Sequence, residues 1–213
     1  MLPTWLRSPS EQALVLKHGR VFLRLPRRRD WRAWSRLRAT SQGFLAPWEP
    51  AWPADALTKR AFRRRVQQYV HEADMGQGYG FLIFRTGDDV LLGGISLNNI
   101  RRGVAQSASL GYWIGEPYAR QGYMAEALSA VLDFAFEQLK LHRVEAACLP
   151  ENAASQGLLR KLGFAEEGYA RGYLRINGQW QDHVLFALLY DDPRGVDARA
   201  WRHKPLSLPR RQV

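Results

Sequence analysis

The chain has little cysteine, little histidine and no long apolar run. Its single cysteine, Cys148, excludes an internal disulfide framework. That residue lies in an apolar stretch, 144–149, where a free thiol behaves as a small buried hydrophobe. The spacing of five histidines and one cysteine matches no metal-ligand pattern, so no metal is expected. No apolar run approaches the roughly 20 residues that span a bilayer. The opening MLPTWLRSPSEQ lacks the charged start, apolar stretch and small-residue site of a signal peptide. A soluble, cytoplasmic protein without membrane contact is the expectation. Internal repeats are absent too, which excludes a solenoid.

What is present fits one domain of ordinary size: 213 residues, 46% hydrophobic, with eight tryptophans to build core or pocket walls. The net charge is +11. Basic residues cluster early (Arg24, Arg27, Arg28, Arg29, Arg32, Arg36, Arg38, then Arg60, Arg63, Arg64 and Arg65) and again at the end (Arg202, His203, Lys204, Arg210, Arg211). Such an excess favours polyanions: nucleic acid, ribosome or a phosphate-rich cofactor. The plainer alternative is a solvated, arginine-rich surface.

Hydrophobic periodicity predicts the elements. Residues 20–25 alternate as a strand, closed by Pro26. Asp30 is placed to cap a helix to about Ala39. The segment FLAPWEPAWP (44–53), with three prolines and two tryptophans, reads as a stiff aromatic loop rather than a helix. A helix follows over 58–73. Strands at 79–84 and 90–97 form a hairpin, and Gly93-Gly94 within the second marks a bulge or a close backbone approach. A strand at 105–114, a helix at 124–139 and a strand at 142–149 make a parallel crossover. A helix at 152–162 is stopped by Gly163. Strands at 169–176 and 183–190 flank Asn177-Gly178, a strong hairpin signal. The sum is a mixed α/β sheet of about seven strands and about four helices. The domain is expected over 18–192, between an N-terminal extension (1–17) and a basic, loosely attached tail (193–213) whose Trp201 could dock against the domain.

The sharpest motif is Ala119-Arg120-Gln121-Gly122-Tyr123-Met124-Ala125, between a strand and a helix. A helix start leaves N–H groups unpaired and carries partial positive charge. A glycine there lets the backbone approach a phosphate. By itself this is a candidate pyrophosphate cradle or an ordinary turn.

The order of motifs adds weight. The passages SLGYWIGEPYARQGYMAEAL (109–128) and HRVEAACLPENAASQGLLRKLGF (142–164) resemble the GNAT acetyltransferase superfamily, an acyl-CoA N-acyltransferase fold with a splayed central strand pair. The opening strand, the Trp-bearing helix and the Trp48-Glu49-Pro50 loop are similar to the RimJ/RimL branch, which acetylates ribosomal-protein N-termini. The resemblance spans about residues 18–190. It implies that acetyl-CoA lies with its pantetheine arm against Trp113 and Ile114, its pyrophosphate on Arg120, Gln121, Gly122, Tyr123, Met124 and Ala125, and Asn152 and Ser155 beside the arm and the thioester. The chain departs from the superfamily at Ala119 and Met124 in the loop, where Gln or Arg and Gly or Ala are usual. Leu159 stands where many members carry a tyrosine acid, and Leu174 where the branch carries a glutamate base.

Acetyl transfer needs a neutral amine, a polarised thioester carbonyl and a proton for the leaving thiolate. Ser155 is the donor candidate. Glu116, Asp182 and His183 are candidates for the base, and transfer through water with no dedicated base is the alternative. The resulting expectation is direct attack in a ternary complex by a primary amine, foremost the α-amino group of a ribosomal protein. Weak RNA contact through the basic patches and a monomer or homodimer complete it. A small-amine acceptor (polyamine or aminoglycoside) is a second reading, and a non-catalytic nucleic-acid module a third.

Overall fold

The computed structural model describes residues 14–194. The tail beyond 194, with Trp201 and the second basic cluster, lies outside them. Eight strands form one sheet in the order β1-β2-β3-β4-β5-β6-β8-β7. They are β1 Val15–His18, β2 Val21–Arg24, β3 Tyr79–Arg85, β4 Leu91–Arg101, β5 Ser107–Ile114, β6 Arg143–Cys148, β7 Ala165–Ile176 and β8 Gln179–Leu189. Every pairing is antiparallel except β5 with β6. Strand β1 was not foreseen, and it begins before residue 18. With four residues and only Leu16 buried, it offers almost no alternation to read.

The helices are α1 Trp31–Thr40, α2 Gln42–Leu45, α3 Lys59–Asp74, α4 Tyr123–Asp133 and α5 Ala153–Lys161. Strand β3 shows how they are layered. Phe81 and Ile83 belong to one apolar cluster and Leu82 and Phe84 to another. Successive side chains leave a strand on opposite faces, so the clusters lie on opposite sides of the sheet. Helix α4 covers the first through Ala127, Leu128, Val131 and Leu132. Helices α1 and α3 cover the second through Trp34, Leu37, Phe62 and Val66.

Three local expectations change. Asp30 occupies the position before α1, but its carboxylate makes no cap hydrogen bond. It accepts instead from Arg24 at 2.7 and 2.8 Å and from the Arg27 N–H at 2.7 Å. A buried guanidinium without a carboxylate would cost more than an uncapped helix start. The stretch 42–48 is not a loop: α2 runs into a 3-10 turn, Ala46–Trp48, with Pro47 in its first turn, where a missing N–H costs nothing. The long helix ends at Asp133 and continues as a π turn, Phe134–Gln138, closed by the Leu139 N–H on the Phe134 carbonyl at 2.9 Å. The widened turn leaves Phe134, Ala135 and Phe136 all buried.

Candidate active site

The parallel pair β5/β6 is the structural origin of the site. It is in register only from Ser107 opposite Arg143 to Leu110 opposite Ala146. Beyond that, residues 111–114 pair with β4 alone and 147–148 with β8 alone. The strands therefore part, and Trp113 and Ile114 lie on an edge open to a partner with amide groups. The close approach foreseen at Gly93-Gly94 is on the other side of β5. A Cβ on Gly93 would stand 2.3 Å from the Trp113 carbonyl oxygen, and one on Gly94 2.5 Å from Trp113 Nε1. Only bare backbone lets the Trp113 indole lie over β4.

The loop from β5 into α4 lies beyond the same strand end. Gly122 is left-handed (φ 87°), and so is Arg120 (φ 63°), a costlier conformation for a side-chain-bearing residue. The first N–H groups of α4 have no acceptor within the helix. Tyr123 and Met124 are buried and anchor the helix start, while Arg120 and Gln121 are exposed.

A residue outside the motif shapes this loop. Arg20, in the β1–β2 turn, donates to Glu126 through Nε (2.8 Å) and Nη2 (2.5 Å), and its backbone N–H donates to the same carboxylate at 2.6 Å. Nη2 also donates to the Gln121 carbonyl at 2.9 Å. The guanidinium lies 4.6 Å from the centre of the Tyr123 ring. Burial pushes the Glu126 carboxyl up, but the hydrogen bonds from Arg20 outweigh it and hold the group below its ordinary range. No sequence signal marks this strap, because its partners are 101 and 106 residues away.

On the other wall of the split, Asn152 Oδ1 accepts from the Ser155 N–H at 3.0 Å and so caps α5. Ser155 Oγ lies 2.7 Å from Tyr112 Oη. Burial pushes the Tyr112 hydroxyl well above the usual tyrosine range, so it stays protonated. Burial raises the Cys148 thiol as well, against a hydrogen bond from Ser155 that lowers it. Tyr112 was not singled out from sequence, since one tyrosine in an alternating strand gives no sign that a hydroxyl across the split needs a partner.

Glu116 and Asp182 are not brought to this pair. Glu116 is exposed at the start of a 3-10 turn, Glu116–Tyr118, and its N–H donates to Ser41 Oγ at 2.9 Å. Asp182 accepts from Tyr169 Oη at 2.8 Å and from the Gly172 N–H at 2.7 Å, which pins the irregular stretch of β7 between Ala170 and Leu174. The bond from Gly172, then that from Tyr169, holds its carboxyl below the ordinary range. His183 is buried, with Nδ1 3.0 Å from the Gln181 carbonyl. Leu174 is exposed opposite Gln181.

A cavity of about 350 Å³ opens on the α1/α3 face beside Gly111, Tyr112 and Trp113. Its centrepiece is Arg38. The guanidinium is 4.2 Å from the Trp52 ring centre and 4.8 Å from that of Trp113. Nη1 and Nη2 donate to the two Glu49 oxygens at 2.7 and 2.6 Å, and Trp52 Nε1 donates to Glu49 at 2.9 Å. Arg38 Nε is buried without a partner among the described residues. The Glu49 carbonyl accepts from the Asn177 N–H at 3.1 Å, so the tip of the β7–β8 hairpin is tied to this wall. Among the described residues no group of three or more His, Cys, Asp or Glu is arranged to hold a metal, and no helix is long and apolar enough to cross a membrane.

Comparison with known proteins agrees with this geometry. The family model described as "Acetyltransferase (GNAT) domain" matches residues 20–165. The chain is 38% identical over 156 residues to a probable N-acetyltransferase, YjcK, of Bacillus subtilis, covering 73% of this chain and 86% of that one. It is 35% identical over 178 residues to the [Ribosomal protein uS5]-alanine N-acetyltransferase of Escherichia coli, covering 83% and 91%. Among solved structures, Mycobacterium smegmatis RimJ in complex with CoA-disulfide superposes with a TM-score of 0.77 at 35% identity, covering 83% of this chain and 86% of that one. The ribosomal-protein-S5-alanine acetyltransferase of Vibrio fischeri gives 0.78 at 30%, covering 84% and 98%. A split sheet, a left-handed loop at a helix start and a family match across both together establish that the chain belongs to the GNAT family and is an N-acetyltransferase of RimJ-like type.

Proposed function

We propose that this enzyme transfers an acetyl group from acetyl-CoA to the α-amino group of a protein N-terminus, the acceptor being a ribosomal protein. The observation that carries the choice of acceptor is the charge of the cavity. Glu49 is the one carboxylate among its lining residues, and both its oxygens are engaged by Arg38. A polyamine or aminoglycoside is a multiple cation and needs uncommitted acidic groups to replace its water. A peptide backbone instead needs stacking surface and a few donors. Trp34, Trp52 and Trp113 supply the surface, and the unpartnered Arg38 Nε–H is a donor for a peptide carbonyl. The two relatives with ribosomal-protein names support the same class.

The residues present fit the cosubstrate. The free edge at Trp113 and Ile114 suits the amides of a pantetheine arm. Arg120 to Ala125 offer backbone N–H groups and one guanidinium to a pyrophosphate. Ser155 would give its proton to the sulfur as the thioester carbon–sulfur bond breaks. Tyr112, protonated, donates to Ser155 Oγ and leaves the serine hydrogen free for the sulfur. An α-amine has a pKa near 8, so a fair fraction is neutral at physiological pH, and its surplus proton leaves through water. Asp182 is committed to β7 and Glu116 lies outside the cavity lining, so neither carries a proton in this reading. Cys148 is buried and its thiol is raised, which disfavours an acyl-cysteine intermediate and favours direct attack. Acetylation of Ala- or Ser-starting peptides from labelled acetyl-CoA, run beside spermidine and an aminoglycoside, tests the reading. Peptides are expected to be the better acceptors, and faster turnover of the small amines overturns it.

A further inference from the structure

The outer surface of the α1/α3 layer carries positive charge that neither the fold nor the site uses. On α1, Arg32 and Arg36 are one turn apart and opposite the inward Trp34 and Leu37. On α3, Arg60 faces outward and Arg63 lies on a flank, away from the inward Phe62 and Val66. Arg28 and Arg29 precede α1. All six are exposed, and among the described residues none forms an ion pair, whereas Arg24, Arg38 and Arg64 each have a carboxylate. The two helices are locked together by Trp34 against Phe62, with ring centres 5.0 Å apart, so the charges sit on one rigid layer. Arg65, 5.5 Å from the Trp34 ring centre, carries that charge to the mouth of the acceptor cavity.

We infer that this layer binds the phosphate backbone of RNA, holding an RNA-bound acceptor protein with its N-terminus at the cavity. The inference rests on the ribosomal acceptor proposed above. Six cations without internal partners are the footprint of counterion release from a polyanion. They are all arginines, whose planar fork matches phosphate oxygens. An acidic protein is the competing occupant, but a protein interface has an apolar centre. Among the described residues the large exposed apolar side chains lie elsewhere, none of them between residues 28 and 40 or 59 and 74.

The test is fluorescence anisotropy with a labelled RNA hairpin of about 20 base pairs at several salt concentrations, on the full chain. Each phosphate contact contributes about 0.7 to 0.9 to the log–log salt slope. Six arginines predict a slope near −4 to −5, and Arg32→Glu, Arg36→Glu, Arg60→Glu and Arg63→Glu together are expected to weaken binding more than tenfold and to flatten the slope by about 3. The matching four-glutamine variant is expected to do the same to a smaller degree, which guards against a folding defect in the first. Acetylation of a short peptide is expected to be unchanged in both, whereas acetylation of an RNA-bound ribosomal protein falls. Failure of the wild type to bind the hairpin at 50 mM salt, equal binding by the variants, or competition by poly-glutamate as strong as by RNA overturns the inference. Loss of peptide acetylation in the wild type would strike the proposed function instead.

Discussion

Ser155, Tyr112 and Arg20 show how differently single residues can matter here. Ser155 shares the split with Tyr112 at 2.7 Å. Removing a positioned proton donor costs on the order of 10²-fold in turnover. Ser155→Ala is therefore expected to lose about that factor in kcat while acetyl-CoA affinity, measured by calorimetry, stays near wild type. Tyr112→Phe keeps the packing but loses one partly buried hydrogen bond, about 1 kcal/mol. Its pH signature is more telling. The folded pKa of Tyr112 is raised by burial, so its stabilising effect is full below about pH 10, the ordinary tyrosine value, and declines above it as the unfolded chain ionises. Melting temperatures from pH 9 to 11 are expected to fall less steeply in Tyr112→Phe than in wild type. Arg20 touches the loop and not the reaction. Arg20→Ala is expected to raise KM for acetyl-CoA about tenfold with little change in kcat, and to leave KM for S-acetylpantetheine, which has no pyrophosphate, unaltered; an equal rise for both donors would reduce Arg20 to a stabilising residue. A factor of ten corresponds to the 1.4 kcal/mol that one charge-assisted contact supplies.

At the scale of elements, the strand β5 does the most work, and half of its meaning was legible in sequence. Alternation located the strand, Gly93-Gly94 announced a close approach, and Asn177-Gly178 announced the hairpin β7–β8. The parting of β5 from β6 was an implication of family resemblance only. Nothing local encodes where a pairing stops: β8 pairs with β6 along all of 143–148 on the edge away from β5, while β5 leaves the other edge after Ala146. Long-range polar partners were equally hidden: Arg20 on Glu126, Tyr112 on Ser155, and Arg38 on Glu49. The Asp30 carboxylate illustrates the competition. Its sequence position favoured a helix cap, and a buried guanidinium took it instead. The loop departures at Ala119 and Met124 find their explanation at this scale as well. Met124 is buried under the helix start, and the proposed cradle uses backbone N–H groups rather than these two side chains. Gly93→Ala tests the close approach that shapes β5. Its new Cβ would meet a backbone oxygen at 2.3 Å, which no rotamer relieves. The expected cost is roughly 1–3 kcal/mol, as for overpacked cores, read as a lower melting temperature together with weaker acetyl-CoA binding.

For the whole molecule, the sheet separates two tasks. In the proposed function its α4 face presents the loop and the open strand to the cosubstrate, and its α1/α3 face presents an aromatic, cation-lined cavity to the acceptor. The N-terminal hairpin serves the first through Arg20, and the C-terminal hairpin serves the second through the Asn177 bond to the Glu49 carbonyl. The first and last hairpins of the described residues thus each touch one half of the proposed site. Composition foretold the basic surface, but the burial of Arg24, the partial burial of Arg38 and the exposure of Arg32 and Arg36 depended on the packing of α1 and α3. In the proposed function the split strand and the loop around Gly122 hold acetyl-CoA for direct transfer. Calorimetric titration of the full chain with acetyl-CoA measures it directly. The expected result is saturable binding of one molecule per chain, with a dissociation constant in about the micromolar range usual for such substrates. Absence of binding at millimolar acetyl-CoA would contradict it.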